Sequence, residues 1–408
     1  MKICLVSMEW PPYSGGIATY MYALAQGLSK IEENQVTVLT AEKNPVNIPG
    51  IDIRFIAINL PKSNFFSKFT KWKMEPFDFW AKAVFSYFTK NFSSKDFDVI
   101  ESAEYGAWAR YFTNQKIPLV TRCHNTTKIV WSINCQNREP YFMPAWVAFQ
   151  DYKERTQTLL SSGITAPSYS LANHLALQWN LDRSSIKVIP NGIDTNKFSP
   201  VKSKVASSGR EILFIGRFQL GKGIYDFLEA TIPLLEKYPD TIVRFVGRDM
   251  PAPQQYASFG KTASEVIKKK IRPELAERVI IVPPVPQQET IEYYRNAYCV
   301  VIPTRGYESF SYTCLEAMSC GCSIVATNCG GPSELLVDGE SGSLVEPGNI
   351  IAIREAVNLI LTDKKRAKHF SLNSRKDAVE KFDVNTMAEK TNEYYQEVLA
   401  LHEKKHSY

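Results

Sequence analysis

Short apolar runs alternate with longer stretches of helical periodicity along almost the whole chain. In the first half the runs read KICLVSM, QVTVLT, IDIRFIAI, DVIESA, PLVTRC, GITAPS and KVIPNG. Runs of this length, bounded by turn residues, are the mark of buried strands, and strands that alternate with helices build a parallel sheet. After residue 210 the pattern starts again with EILFIG, TIVRFVG, VIIVPPV, CVVIPT and SIVATN, each leading into a helical stretch. Between the halves, GIDTNKFSPVKSKVASSGR loses all periodicity and turns polar. The chain therefore reads as α/β, with a Rossmann-like domain over 1–192, a linker over 193–210 and a second such domain over 211–383. A helix over 384–408 is expected to cross back towards the first domain. Two doubly wound sheets in tandem bring their carboxyl ends to a deep cleft, where the active site is expected.

Composition agrees with this and narrows it. At 408 residues, 44% hydrophobic and 22% charged, the chain can bury two cores. No apolar run approaches the roughly 18 residues of a membrane span. MKICLVSMEW runs into PPYSGG without a small-residue cleavage site, so it reads as the first strand and not as a leader. The eight cysteines lie mostly inside apolar runs and lack C-x-x-C spacing, as expected of reduced thiols in a cytoplasmic protein. Cys320, Cys322 and Cys329 cluster but lack a fourth soft ligand, so no metal site is expected.

The net charge of +6 is unevenly spread. Residues 60–95 alone hold seven lysines against two acidic residues, interleaved with Phe and Trp. Such a segment either makes peripheral contact with an anionic membrane or is a solvated lysine face with its aromatics in the core. No nucleic-acid partner is expected.

Three stretches carry candidate chemistry. PPYSGG places Gly15 and Gly16 between a strand and a helix, where backbone N–H groups can approach an anionic ligand. It does not match G-x-G-x-x-G. GRFQLGKG, residues 216–223, has the spacing of a phosphate-binding loop, but Gly223 stands where Ser or Thr would ligate magnesium. What remains is a pair of cations, Arg217 and Lys222, suited to neutralising a diphosphate without a metal. In ESFSYTCLE, Glu308 follows a buried strand and Glu316 falls in the next helix. The segment Ser309, Phe310, Ser311, Tyr312 opens that helix, where backbone N–H groups favour a phosphate. Each flanking carboxylate can accept two sugar hydroxyls, Glu308 from a hexose and Glu316 from a ribose. HEKKH at 402–406 has H-E-x-x-H spacing, but its polar, lysine-rich setting offers no dry site, so it is not read as a zinc motif.

Taken together, NGID at 191–194, GRFQLGKG, the E-x7-E pair Glu308 and Glu316, EAMSCG and GGPSELL resemble the retaining glycosyltransferases of family 4, with their GT-B architecture. PPYSGG and His124, at the end of PLVTRCH, extend the resemblance through the first half. It implies that Arg217 and Lys222 bind the donor diphosphate, Glu316 the nucleotide ribose and Glu308 the transferred sugar. His124 would lie near that sugar, acting through its backbone carbonyl as well as its ring. Glu308, His124, Arg217 and Lys222 would then form the catalytic set, and transfer would proceed on one face of the sugar with help from the leaving phosphate. No cofactor or metal is implied beyond the nucleotide sugar itself.

The chain departs from the family pattern at Ser311 and at Pro284 in VPPV, where glycine is usual, and at GRDM, where the family has G-x-G and this chain places Arg248 and Asp249. These positions border the nucleotide, which leaves the base open. The expectation is transfer of a hexose from a nucleotide sugar, UDP-linked in preference to GDP-linked, to a glycan or lipid-linked acceptor in the synthesis of a surface polysaccharide or glycoconjugate. A nucleotide-sugar epimerase or hydrolase on the same fold, or a non-catalytic nucleotide-binding module, is the alternative.

Overall fold

The computed structural model describes residues 1–12, 15–57, 75–134, 143–200 and 210–406. The chain divides into two compact units, Met1–Gly192 together with Val384–Tyr408, and Ile193–Asp383.

The first unit is built on a seven-stranded sheet, β1 (Lys2–Ser7), β2 (Gln35–Thr40), β3 (Asp52–Phe55), β4 (Val99–Ala103), β5 (Leu119–Arg122), β6 (Gly163–Ala166) and β7 (Ile186–Val188). Their order is β3-β2-β1-β4-β5-β6-β7, and every pairing is parallel. β1 lies inside the sheet, with Ile3, Cys4, Leu5 and Val6 inaccessible to solvent. A strand covered on both faces needs an unbroken apolar run and not an alternating one, which is what KICLVSM supplies. Helix Val384–His406 packs on helix Gly16–Leu28 so closely that a Cβ on Gly27 would stand 2.6 Å from that of Ala388. The same helix sends Tyr395 to Glu101 and Tyr394 to the backbone of Ile164.

The second unit holds β8 (Arg210–Ile215), β9 (Thr241–Val246), β10 (Val279–Val282), β11 (Cys299–Ile302), β12 (Ser323–Thr327) and β13 (Ser343–Val345), in the order β10-β9-β8-β11-β12-β13 and again all parallel. In both sheets the order reverses beside the first strand, between β1 and β4 and between β8 and β11. Loops leaving the carboxyl ends of those strands diverge there and open a crevice that a ligand can enter.

The linker expected over 193–210 is corrected in its first part. Ile193 and Phe198 are buried in the core of the second unit, and Ile193 bridges to Asp383. Arg375 gathers the carbonyls of Thr195, Phe198 and Ser319. Two apolar anchors in a polar segment are too few to register as a period, so the sequence pattern hid them. Residues 201–209 lie outside the described residues.

Within 60–95, Lys62, Lys68, Lys71 and Lys73 also lie outside the described residues. The remainder forms helix Glu75–Asn91, with Trp80, Val84 and Phe88 buried and Lys82 and Lys90 exposed. Phe88 meets Phe97 and Phe112 at ring-centroid distances of 5.6 and 5.0 Å. In this part, at least, the aromatics serve the core. No helix among the described residues is long and apolar enough to cross a membrane.

Candidate functional site

The crevice of the second unit is framed by the loop after β8 and the loop after β11. The first runs from Gly216 through a single 3-10 turn, Leu220–Lys222, into helix Ile224–Lys237. Gly223 joins turn to helix at φ +70°, and a Cβ there would lie 1.7 Å from the Pro303 carbonyl oxygen. That close approach explains why the position carries glycine and not the Ser or Thr of a magnesium-binding loop. In return, the N–H groups of Arg305 and Gly306 donate to the Gly221 carbonyl. Arg305 also makes a two-pronged ion pair with Asp226, which is 1% exposed.

This stitching brings Lys222 Nζ into an ion pair with Glu308 Oε2. Arg217, in the same loop, is exposed; its carbonyl accepts the Gln219 N–H, while its guanidinium has no hydrogen-bonding or ionic partner among the described residues. The Glu308 loop is held from its other side by the double glycine of GGPSELL. Gly331 N–H donates to the Glu308 carbonyl at 2.7 Å, and a Cβ on Gly330, at φ +57°, would lie 2.1 Å from that same oxygen.

Helix Tyr312–Ser319 follows at once. Ser311 caps it by accepting the Cys314 N–H, a role glycine could not fill, so the departure at Ser311 has a local structural use. Ser309 and Phe310 are buried at its entrance and Tyr312 is half-buried. Glu316, 6% exposed, accepts from Gln287 Nε2 and from Tyr294 Oη, each at 2.8 Å. Burial raises its pKa against the pull of those two donors. Each carboxylate oxygen keeps a further lone pair for a ligand hydroxyl.

Beside this arrangement, the ends of β9 and β10 border a cavity of about 470 Å³, lined by Phe218, Gly247, Asp249, Ile267, Val282 and Pro284 among others. Its walls are mainly apolar, with Asp249, Ser264 and Lys268 as polar groups. Of the three positions expected to border the nucleotide, Ser311, Arg248 and Pro284, only Pro284 lines it. Arg248 is exposed and is not among its lining residues; the adjacent Asp249 takes that place, tied to Ser264 N–H and Oγ.

In the first unit Gly15 precedes helix Gly16–Leu28, and nothing among the described residues lies within 4 Å of where a Gly16 Cβ would stand. His124, just past β5, is 8% exposed, with its ring edge-on to Tyr20 at 5.0 Å. Its Nε2 finds no acceptor or donor among the described residues. Burial, helped by the neighbouring Arg122, holds the imidazole pKa well below its usual value, so the ring is neutral.

The sequence reading missed the charged shell around His124. Arg122 is fully buried, donates through Nη2 to the Ile189 carbonyl and Asn191 Oδ1, and stands 4.5 Å over the Tyr20 ring. Glu104 accepts the His124 N–H at 2.7 Å, while its second oxygen is buried and unpartnered among the described residues. Burial lifts Glu104 to about 8 and Glu154 to about 7. A signal for this shell was present, since DVIESAE and PLVTRC carry Glu and Arg inside runs otherwise fit only for burial.

Comparison with known proteins bears on both units. Residues 14–197 match the family model described as Glycosyltransferase Family 4, and residues 196–377 that of Glycosyl transferases group 1. The chain is 22% identical over 282 residues to a glycogen synthase of Mycobacterium tuberculosis, a match that covers 68% of this chain but only 63% of that protein. Among solved structures, sucrose-phosphate synthase from Thermosynechococcus elongatus superposes with a TM-score of 0.75 at 19% identity, covering 98% of this chain and 99% of that one. Anabaena HepE, solved in complex with UDP-glucose, gives 0.71 at 18% identity over 97% of this chain and 100% of that one.

Proposed function

The chain belongs to the family 4 glycosyltransferases, and from that membership we propose that it moves a hexose from UDP to a glycan or lipid-linked acceptor with retention at the transferred carbon. The observation that carries this reading is the meeting of Lys222 and Glu308 at the switch point of the second sheet, with Glu316 on the next helix. A diphosphate and the sugar it carries need a cation and a hydroxyl acceptor at neighbouring positions. Arg217 and Lys222 would take the diphosphate, Glu308 the hexose hydroxyls and Glu316 the ribose hydroxyls. The base would enter the cavity bounded by Gly247, Val282 and Pro284. The similarity to HepE supports UDP over GDP as the nucleotide.

In the reaction the bond from the anomeric carbon to the diphosphate oxygen breaks and a bond to the acceptor oxygen forms on the same face. The acceptor's proton passes to the departing phosphate oxygen. Arg217 and Lys222 stabilise the charge that grows on the diphosphate, a task suited to fixed cations in a partly dry site. Neutral His124 would offer its carbonyl and ring to the sugar without adding charge. The acceptor would be held at a membrane face, with the lysines of 60–95 drawing the protein to anionic lipid.

A thermal-shift screen against UDP, GDP, ADP and their hexose conjugates tests the donor site, with Arg217→Ala and Glu316→Ala as controls. UDP and its conjugate should raise the melting temperature by several degrees, and both variants should lose the effect. A folded protein that responds to none of the nucleotides would refute the donor assignment.

A further inference from the structure

The contact between Lys222 and Glu308 also bears on how the site tells its donor from the spent nucleotide. Lys222 is the cation assigned to the diphosphate, yet here its charge is satisfied by the carboxylate assigned to the sugar, the two side chains being 33% and 16% exposed. Of the other cations nearby, only Arg217 remains open to the diphosphate. Arg305 is committed to Asp226, and Arg217 is exposed with no carboxylate partner among the described residues. The Glu308 backbone is fixed by Gly331 N–H and by the close approach of Gly330, so its side chain starts from a set position within reach of Lys222.

We propose that Glu308 is a specificity-determining residue that competes with the diphosphate for Lys222, so that the site favours a sugar-bearing nucleotide over the free nucleoside diphosphate. The inference rests on the donor site proposed above. A nucleotide sugar gives Glu308 hydroxyl donors in exchange for the ammonium it surrenders, whereas a free diphosphate gives it none. The free diphosphate also has a terminal phosphate that ionises a second time, with a pKa of about 6, so near neutral pH it carries more negative charge toward Glu308. Once the hexose has left with the acceptor, Glu308 loses its hydroxyl partners and recaptures Lys222, which weakens the hold on the product.

Calorimetric titration of the full chain with UDP, GDP and ADP and with their glucose conjugates tests this in wild type, Glu308→Gln, Lys222→Gln and the double variant. For the base that binds, Glu308→Gln should take the free diphosphate about tenfold more tightly than wild type, the size expected for one partly screened charge at close range. Its preference for the sugar conjugate should shrink, and the gain should vanish when Lys222 is also changed. Glu308→Asp keeps the charge on a shorter arm and should fall between the two. Unchanged or weaker binding of the free diphosphate by folded Glu308→Gln would overturn the proposal. So would a gain that survives in the double variant, because the competition for Lys222 would then play no part. Failure of the donor site itself would look different, with no nucleotide binding to wild type or any variant.

Discussion

At the scale of single residues, the most telling group is a carboxyl that is paired with no cation among the described residues. Glu104 is fully buried, gives one oxygen to the His124 N–H and has its pKa raised from 4.5 to about 8 by burial and by the nearby Glu154. In the unfolded chain it ionises near 4.5, while in the folded chain it keeps its proton until about pH 8. Folding therefore holds an extra proton in that window, and stability contributed at lower pH is lost as pH rises towards 8. Glu154, lifted to about 7, acts in the same direction. Glu104→Gln keeps an acceptor for His124 and cannot ionise. Its melting temperature should match wild type at pH 4.5 and exceed it by at least about 2 °C at pH 8, where roughly 1 kcal/mol corresponds to 2–4 °C for a chain segment of this size. Calorimetric scans at the two pH values check this, and an equal offset at both would show that ionisation of Glu104 plays no part.

At the scale of elements, the site depends on loops that touch through glycine. Gly330 and Gly339 both have positive φ, at +57° and +75°, so alanine strains the backbone at either. Only at Gly330 does the new methyl also meet a backbone oxygen, that of Glu308, whereas nothing lies within 4 Å at Gly339. Gly330→Ala should therefore cost about 1–3 kcal/mol more stability than Gly339→Ala, as overpacking does, and should alone weaken nucleotide binding. Denaturant melts of both variants, with and without UDP, measure the difference. Equal costs would mean that the turn relaxes away from Glu308. The strands here were legible from sequence because burial on both faces demands unbroken apolar runs, as in KICLVSM and CVVIPT. The turn chemistry was legible only in outline. GRFQLGKG announced a phosphate loop, but the reason for Gly223 is the Pro303 carbonyl, which lies 80 residues further along the chain.

At the scale of the whole molecule, the charge of +6 and its concentration in 60–95 bear on where the protein works. Attraction of lysines to an anionic surface is worth about 1 kcal/mol per residue close to the membrane and fades with salt. Reversing Lys68, Lys71 and Lys73 to Glu should lower binding to vesicles containing phosphatidylserine by at least tenfold at low salt and leave nucleotide binding unchanged. Sedimentation with such vesicles checks it, and unchanged sedimentation would remove the membrane role from this segment. The same scale explains why the linker was misread. Ile193 and Phe198 belong to the second core and Val384–His406 to the first unit, so the covalent order of segments and their packing order differ.

The sequence by itself determined that two parallel sheets form, one after the other, because unbroken apolar runs that alternate with helical stretches pack as strands covered by helices on both faces. It also offered the residue types that the proposed diphosphate and sugar would need, because Arg217, Lys222, Glu308 and Glu316 follow or flank strands of the second sheet. Only the tertiary structure decided which of these groups touch. The Lys222 and Glu308 pair spans 86 residues of chain, and the Glu316 partners Gln287 and Tyr294 come from a separate helix. The Glu104 shell around His124 joins the ends of two strands. Such contacts arise when distant loops converge at a switch point, and local periodicity carries no information about distances of that kind.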